Sequence, residues 1–160
     1  MRDRIHIVID TREQQPWHFP IHLAVVSRGC LPVFDYALLG DPDFAIERKS
    51  LNDFVGSIAS GWDVFLRRFD KVPDWPAKVV IIEGSISQIL AREYNHPEVT
   101  PKFIIKQIST LTMMGVSLLF GDNPVTAAGL AYRILLERQK QIHGERHNND
   151  NRAENDLPQA

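Results

Sequence analysis

Asp35 and Glu47 are spaced so that a β-hairpin would bring their carboxylates together. Each lies in a run rich in β-branched, aromatic and aliphatic residues, and these runs flank the dense turn cluster 40–43, which predicts a hairpin. With the loop centred on Asp41, opposed residue numbers sum to 82, so Asp35 lies directly across from Glu47. Opposed side chains share one face, with Cβ atoms about 4.5–5.5 Å apart. A one-residue slip in register would separate the pair.

Alternation of side chains along the second strand adds an ammonium group to this pair. Lys49 points to the same face as Glu47, whereas Arg48 points to the opposite face. Neighbouring like charges are unfavourable unless a cation lies between them, and Mg²⁺ binds one or two carboxylates together with waters and phosphate oxygens. The Lys49 ammonium could then act on a metal-bound water or phosphate. The alternative is a surface hairpin with a salt bridge between Glu47 and Lys49.

The elements that must position this group indicate an α/β fold. Besides the hairpin, short apolar runs predict strands at 5–9, 78–83 and 116–120. Capping residues, prolines and apolar spacing predict helices at 21–28, from 51 to a break at Gly61, and at 62–71, 86–94, 101–114 and 124–142. The order β-α-β-β-α-α-β-α-α-β-α favours a mixed sheet with helices on both faces.

Length and composition indicate one soluble domain. The chain has 160 residues, of which 44% are hydrophobic, and a formal net charge of −2, which argues against a strongly basic nucleic-acid binder but not against a local basic patch. No apolar run reaches about 18 residues and no signal peptide is recognisable, so we expect a cytoplasmic protein without a membrane segment. Cys30 is the only cysteine, and we expect it to be buried or half-buried.

A composition change near residue 144 marks the expected end of the folded domain. Residues 144–160 consist largely of Asn, Asp, Glu, Arg and His with a single leucine. Such a segment cannot bury enough apolar surface to offset the entropy lost on ordering. We therefore predict a domain at 1–143 followed by a disordered polar tail at 144–160.

Four motifs in the first third of the chain together resemble one family. They are Asp10-Thr11-Arg12-Glu13, Phe34-Asp35-Tyr36, Glu47-Arg48-Lys49-Ser50-Leu51-Asn52-Asp53 and Gly61. A bare D…ExK match is weak, but this set in this order is similar to the XPF-type nuclease family, a branch of the PD-(D/E)xK superfamily. The resemblance implies a restriction-endonuclease-like three-layer α/β/α fold with a central mixed sheet. It also implies a stand-alone nuclease domain, without the helix-hairpin-helix module of larger members.

Carried over residue by residue, the resemblance implies a metal site and a catalytic lysine. Asp35, Glu47 and the main-chain carbonyl of Arg48 would hold Mg²⁺, for which Mn²⁺ could substitute. Lys49 would be the catalytic lysine. Asp10, at the end of the first strand, would belong to the catalytic group, either as a further ligand or as a residue that contacts the ligands.

Four arginines are predicted to contact DNA, mainly at phosphates: Arg12, Arg48, Arg67 and Arg68. For Arg67 and Arg68, the alternative to a DNA contact is a position on a solvated helix face. Two residues depart from the family pattern, since Phe34 replaces a glycine and Trp62 replaces an arginine. The individual roles of Glu13 and Asp53 stay open, with helix capping as one reading for Asp53.

The function implied is a metal-dependent, structure-specific DNA endonuclease that cleaves branched or flapped DNA in repair, recombination or replication. The alternative is a catalytically inactive DNA-binding or scaffolding subunit, although such copies tend to lose the acidic and lysine positions retained here. A small-molecule enzyme has no supporting motif, since neither a glycine-rich phosphate loop nor a nucleophile elbow is present. A homodimer through the nuclease domain is expected from the family, with the helices 101–114 and 124–142 as its surface or as ordinary core.

Overall fold

A single mixed sheet forms the centre of the molecule. A computed structural model describes the backbone of residues 4–155 and the side chains of residues 4–144. Within these residues the sheet contains β1 (Ile5–Asp10), β2 (Ala24–Gly29), β3 (Tyr36–Leu38), β4 (Ala45–Ser50), β5 (Lys78–Glu83) and β6 (Val116–Phe120). The strand order is β2-β1-β3-β4-β5-β6. β3 runs antiparallel to β1 and β4, and the other neighbours are parallel, which confirms the predicted mixed sheet.

Helices cover both faces of the sheet and give the three layers. They are α1 (Leu51–Ala59), α2 (Trp62–Asp70), α3 (Ile86–Ala91), α4 (Pro101–Met113) and α5 (Pro124–Asn155). The strand residues Ala45, Val80 and Ile82 pack with side chains of α1 to α4, whereas Ile46 and Ile81 pack with α5. Because side chains alternate along a strand, Glu47 and Lys49 share the face of Ala45.

Local sequence explains where most helices begin. The hydroxyl groups of Ser50, Ser85 and Thr100 each accept a hydrogen bond from the backbone N–H three residues later, at the starts of α1, α3 and α4. At the start of α4, Pro101 occupies a position whose missing N–H costs nothing. These starts agree with the predictions. Among the residues described, none of the helices has the length and apolar character needed to cross a bilayer.

The predicted helix at 21–28 is wrong. Residues 24–29 form β2, an edge strand that pairs in parallel with β1 from Ile5↔Ala24 to Asp10↔Gly29. The window with helical spacing is short and contains two adjacent valines, which favour a strand, and pairing with β1 outweighs the spacing. Cys30, which follows this strand, is exposed rather than buried.

The last helix extends past its predicted end at about residue 142. The α5 backbone continues to Asn155, so residues 144–155 of the predicted disordered tail are helical, and residues 156–160 lie outside the described residues. A lone glycine costs a helix only about 1 kcal/mol, and no proline interrupts residues 125–155. The polar composition that predicted a tail therefore did not mark the end of the helix.

Candidate active site

The hairpin formed by β3 and β4 has the register that the sequence predicted. Tyr36 pairs with Ile46 and Ala37 pairs with Ala45, and the same register places Asp35 across from Glu47. The Asp35 N–H donates to the Ile46 carbonyl at 3.0 Å, and the Asp35 carboxylate accepts from the Arg48 N–H at 2.8 Å. These two hydrogen bonds fix the Asp35 side chain beside β4.

A cleft of about 390 Å³ contains three of the four predicted catalytic residues, Asp35, Glu47 and Lys49. The remaining lining is largely polar and cationic: Arg12, Glu13, Gln14, Pro32, Val33, Arg48, Arg68 and Lys71. The fold therefore brings together the carboxylate pair and the lysine, and it surrounds them with positive charge.

Glu47 is the most strongly perturbed acid of the cleft. It is 1% exposed, and its carboxylate lies 3.6 Å from the Lys49 ammonium and 2.6 Å from the Arg68 guanidinium. Burial and the neighbouring Asp35 raise the pKa of Glu47 to about 8, although Arg68 and Lys49 act in the opposite direction. Burial also raises the pKa of Asp35.

Burial is the main cause of both raised pKa values, and two neighbouring carboxyl groups in such surroundings would be stabilised in their charged form by a further positive charge. A hard divalent cation would supply it, since Mg²⁺ binds one or two carboxylates and completes its shell with water and other oxygens. Within the part of the chain that the structure describes, no three His, Cys, Asp or Glu side chains converge. The residues therefore fit a cation held by two carboxylates together with main-chain, water or phosphate oxygens, and not an all-protein cage.

Lys49 is positioned by α2 as well as by its own strand. Its ammonium lies 5.6 Å from the centre of the Phe65 ring, and its side chain is 17% exposed. The ammonium therefore lies between the face of this ring and the Glu47 carboxylate, 3.6 Å from its Oε1 atom. This placement agrees with the alternation predicted from the sequence.

Arg48 points to the opposite face, as predicted, and although it borders the cleft, its guanidinium holds a loop. Its Nε atom donates to Glu83 at 2.8 Å, and Nη1 donates to the Gln15 carbonyl and lies 3.4 Å from Glu13. The guanidinium also lies over the Trp17 ring at 5.4 Å. Only 15% of the side chain is exposed, so its predicted DNA contact stays a prediction, and its observed contacts position residues 13–17.

Asp10 does not line the cleft. Both of its carboxylate oxygens accept hydrogen bonds, from the Arg12 backbone and side chain and from the Leu31 N–H. These contacts lower the pKa of Asp10 to about 2, chiefly through the bond from the Arg12 side chain. The Asp10 N–H meanwhile donates to the Asp35 carbonyl at 2.8 Å. Asp10 therefore braces the segment that carries Asp35, and its predicted role as a metal ligand stays a prediction.

Replacing Asp10 with asparagine should destabilise the protein by about 2–3 kcal/mol at neutral pH, because hydrogen bonds to a charged acceptor are lost. The folded pKa lies below the ordinary value of 3.8, so the stabilisation is present above pH 3.8 and lost as the pH falls through about 2. Urea denaturation of both proteins between pH 2 and 7 checks this. Equal stability at pH 7 would contradict the bracing role.

The two adjacent arginines of α2 have different surroundings. Arg68 reaches into the cleft and contacts Glu47, whereas Arg67 lies with residues 59–64 around a separate depression. Lys71, one turn later, also lines the cleft. Sequence reasoning missed Lys71, and the only available signal was its spacing of three residues from Arg68 along the helix.

Phe34, in the position of the family's glycine, has a backbone conformation that favours glycine. Its φ is 64°, and its ring is fully buried against Phe69 and Trp75, with centroids 5.5 and 5.8 Å away. The Arg68 guanidinium lies 5.8 Å from the centre of the same ring. A left-handed conformation costs a residue with a Cβ atom about 1–2 kcal/mol, which the packing of the ring offsets.

Variants of Phe34 should therefore reverse the usual order of stability, in which an alanine variant is more stable than a glycine variant. Phe34→Ala should destabilise the protein by about 3–5 kcal/mol through loss of the ring. Phe34→Gly should be less destabilised than Phe34→Ala by about 1 kcal/mol, because glycine adopts a positive φ without strain. Urea denaturation measures both variants. A glycine variant less stable than the alanine variant would show that the backbone strain at Phe34 is negligible.

A larger cavity of about 600 Å³ lies on the other side of Arg48. Its walls are mainly apolar and include Trp17, Phe19 and Tyr132, and among the described residues that line it there is no carboxylate. It therefore has no group that could hold a hard cation. The candidate site is placed in the smaller, polar cleft.

The mixed sheet with helices on both faces, together with its similarity to a solved XPF structure, identifies a restriction-endonuclease-like fold. A profile of the ERCC4 domain matches residues 9–134, which include every cleft residue named above. The chain therefore belongs to the ERCC4 domain family, and the predicted resemblance to XPF-type nucleases is confirmed.

A solved structure supports the same fold. The chain is similar to XPF from Aeropyrum pernix, with 20% sequence identity and a TM-score of 0.63 over 83% of this chain. This chain covers only 61% of the length of that protein's chain. The similarity therefore supports the fold of this chain and does not extend the activity of the Aeropyrum pernix protein to it. A comparison with curated protein sequences gives no match.

Proposed function

We propose that the protein is a Mg²⁺-dependent, structure-specific endodeoxyribonuclease that hydrolyses phosphodiester bonds in branched or flapped DNA. The observation that carries this proposal is the opposed pair of carboxyl groups, Glu47 buried and Asp35 half-buried, beside Lys49 in a cationic cleft. Membership of the ERCC4 domain family supports the same reading. Roles in repair, recombination or replication are part of the proposal.

In this mechanism Asp35, Glu47 and the main-chain carbonyl of Arg48 would hold the cation. When bound there, Mg²⁺ would act as a Lewis acid toward the scissile phosphate and would lower the pKa of a water molecule. Lys49 would orient that water or, as a neutral amine, accept a proton from it at its Nζ atom. The hydrogen bond from the Arg48 N–H keeps Asp35 in place throughout.

DNA would be held mainly through its phosphates. Arg12 is 65% exposed at the cleft edge, and Lys71 is also exposed there. Such cations fix the position of a nucleic acid without reading its bases. The preference for branched or flapped DNA would then depend on the shape of the site and on a second protein subunit.

Lys49→Met should reduce cleavage at least about 100-fold, the lower range for loss of a group that transfers a proton. Methionine keeps an unbranched apolar chain against Phe65, so the fold should be retained. Lys78→Met is the matched control, because its ammonium bonds the Pro73 carbonyl away from the cleft. Rates measured on one flap substrate decide the result, and a fully active Lys49→Met enzyme would exclude the catalytic role.

Pairing of two chains through α4 and α5 is a further part of the proposal. Ile104 and Leu111 of α4 are core residues, but Ile105, Met113 and Met114 remain exposed and could meet a second copy. Light scattering tests this directly. A monomer at micromolar concentration would contradict it.

The decisive assay offers labelled flap, fork, Holliday-junction, single-stranded and duplex DNA with Mg²⁺ or with EDTA. We expect cleavage of at least one branched or flapped substrate with Mg²⁺, weaker cleavage of plain duplex, and none with EDTA. DNA binding without cleavage would instead support an inactive scaffolding subunit. Cleavage that persists in EDTA would contradict metal dependence.

A further inference from the structure

Arg68 contacts one carboxylate oxygen of Glu47, and Lys49 contacts the other. Its Nη2 atom lies 2.6 Å from Oε2 of Glu47, and the Lys49 ammonium lies 3.6 Å from Oε1. Among the described residues these two are the cations in salt-bridge contact with Glu47. One carboxylate therefore has both of its oxygens next to internal positive charge.

This arrangement competes with a bound divalent cation. If Asp35 and Glu47 held such a cation, the charge of the carboxylates would be neutralised by it, and the guanidinium would be repelled at short range. Lys49 is restrained by its strand and by the Phe65 ring. Arg68 is the member of the group with room to move.

The surroundings of Arg68 allow such a movement. Its side chain is 32% exposed, and it reaches the cleft from α2 along the flat face of Phe34, 5.8 Å from the ring centre. Arg48, by contrast, is held by Glu83, Glu13 and a main-chain carbonyl. A guanidinium on an aromatic face can exchange one oxyanion for another and binds phosphate with two parallel hydrogen bonds.

We propose that Arg68 is an exchangeable partner of Glu47, which contacts its carboxyl group while no divalent cation is bound and moves to a DNA phosphate when one binds. The inference rests on the proposed function. It assigns Arg68 a positioning role that couples metal binding to DNA binding. It also supplies a phosphate contact from α2, in which Trp62 occupies the position of the family's arginine.

The test compares DNA affinity with and without a divalent cation. Wild type, Arg68→Met and Lys71→Met are titrated with a labelled flap DNA in Ca²⁺, which takes the same oxygen ligands as Mg²⁺, and in EDTA. Gels confirm that the DNA stays intact. Lys71 is the matched control, because it is a cation of the same helical region that lines the cleft and forms no salt bridge with Glu47 in the described structure.

Arg68→Met should weaken binding about tenfold in Ca²⁺, the size of one charge-assisted hydrogen bond, and less than about twofold in EDTA. Lys71→Met should weaken binding by the same factor in both buffers. Equal losses for Arg68→Met in the two buffers, or no loss in Ca²⁺, would overturn this inference alone. A wild-type protein that binds no DNA in Ca²⁺ would overturn both this inference and the proposed function.

A second measurement uses the wild-type protein. The Nε–Hε signal of Arg68, assigned by its absence in Arg68→Met, is followed by NMR as Ca²⁺ is added without DNA. We expect the signal to shift and to exchange faster with solvent as the contact with Glu47 is lost. A signal unchanged at saturating Ca²⁺ would overturn the exchange.

Discussion

Asp35→Asn is expected to lower Mg²⁺-dependent cleavage by about 1,000-fold or more while the protein stays folded. Asparagine keeps an oxygen that can accept the hydrogen bond from the Arg48 N–H, so the local backbone geometry is preserved. It removes the negative charge that would hold the cation, and with it the electrostatic stabilisation of the reacting phosphate. Because burial raises the pKa of Asp35, loss of this charge should not destabilise the fold.

The measurement is the single-turnover cleavage rate on a branched substrate, together with a urea denaturation curve. Asp43→Asn is the matched control, because Asp43 is exposed in the turn of the same hairpin, away from the cleft. We expect the control to cleave at the wild-type rate. An Asp35→Asn enzyme within tenfold of wild type would remove Asp35 from the site.

Glu47→Gln is expected to remove a large pH dependence of stability in the metal-free protein. The folded pKa of about 8 lies above the ordinary value of 4.5, so the folded state retains a proton that the unfolded chain releases. The associated stability is present below pH 4.5 and is lost as the pH rises through about 8. The loss should be on the order of 3–5 kcal/mol in wild type and largely absent in the glutamine variant.

Urea denaturation in EDTA between pH 5 and 9 measures this difference. Added Mg²⁺ should restore the stability of wild type at pH 8.5, because binding to the folded state alone stabilises it, and should leave Glu47→Gln unchanged. Asp10 contributes its pH dependence only below pH 4, so the two effects occupy separate windows. If the stability of wild type and of Glu47→Gln changed with pH in the same way, the pKa of Glu47 would not be raised in the folded protein.

The hairpin could be predicted because its determinants are local. The turn residues 40–43 fix the loop, and the loop fixes which residues oppose each other, so Asp35 and Glu47 followed from counting. Strand β2 could not be predicted in the same way. Its identity depends on pairing with β1, and a six-residue edge strand carries too weak a pattern to separate it from a short helix.

The same distinction between local and long-range determinants applies to the residues of the site. Lys49 follows from alternation within one strand, whereas Arg68 is 21 residues from Glu47 and Glu83 is 35 residues from Arg48. Their contacts arise from packing between elements, which sequence spacing does not specify. The positive φ of Phe34 was also beyond prediction, because a bulky residue is rarely found there and only the surrounding aromatic packing enforces it.

The central claim is that Asp35 and Glu47 together hold a divalent cation. Electron paramagnetic resonance of Mn²⁺ tests it most directly, since the free-ion signal falls when Mn²⁺ binds and returns when Mg²⁺ competes. We predict saturable, Mg²⁺-competable binding to wild type, and its loss in both Asp35→Asn and Glu47→Gln. Undiminished Mn²⁺ binding by either variant would contradict the account.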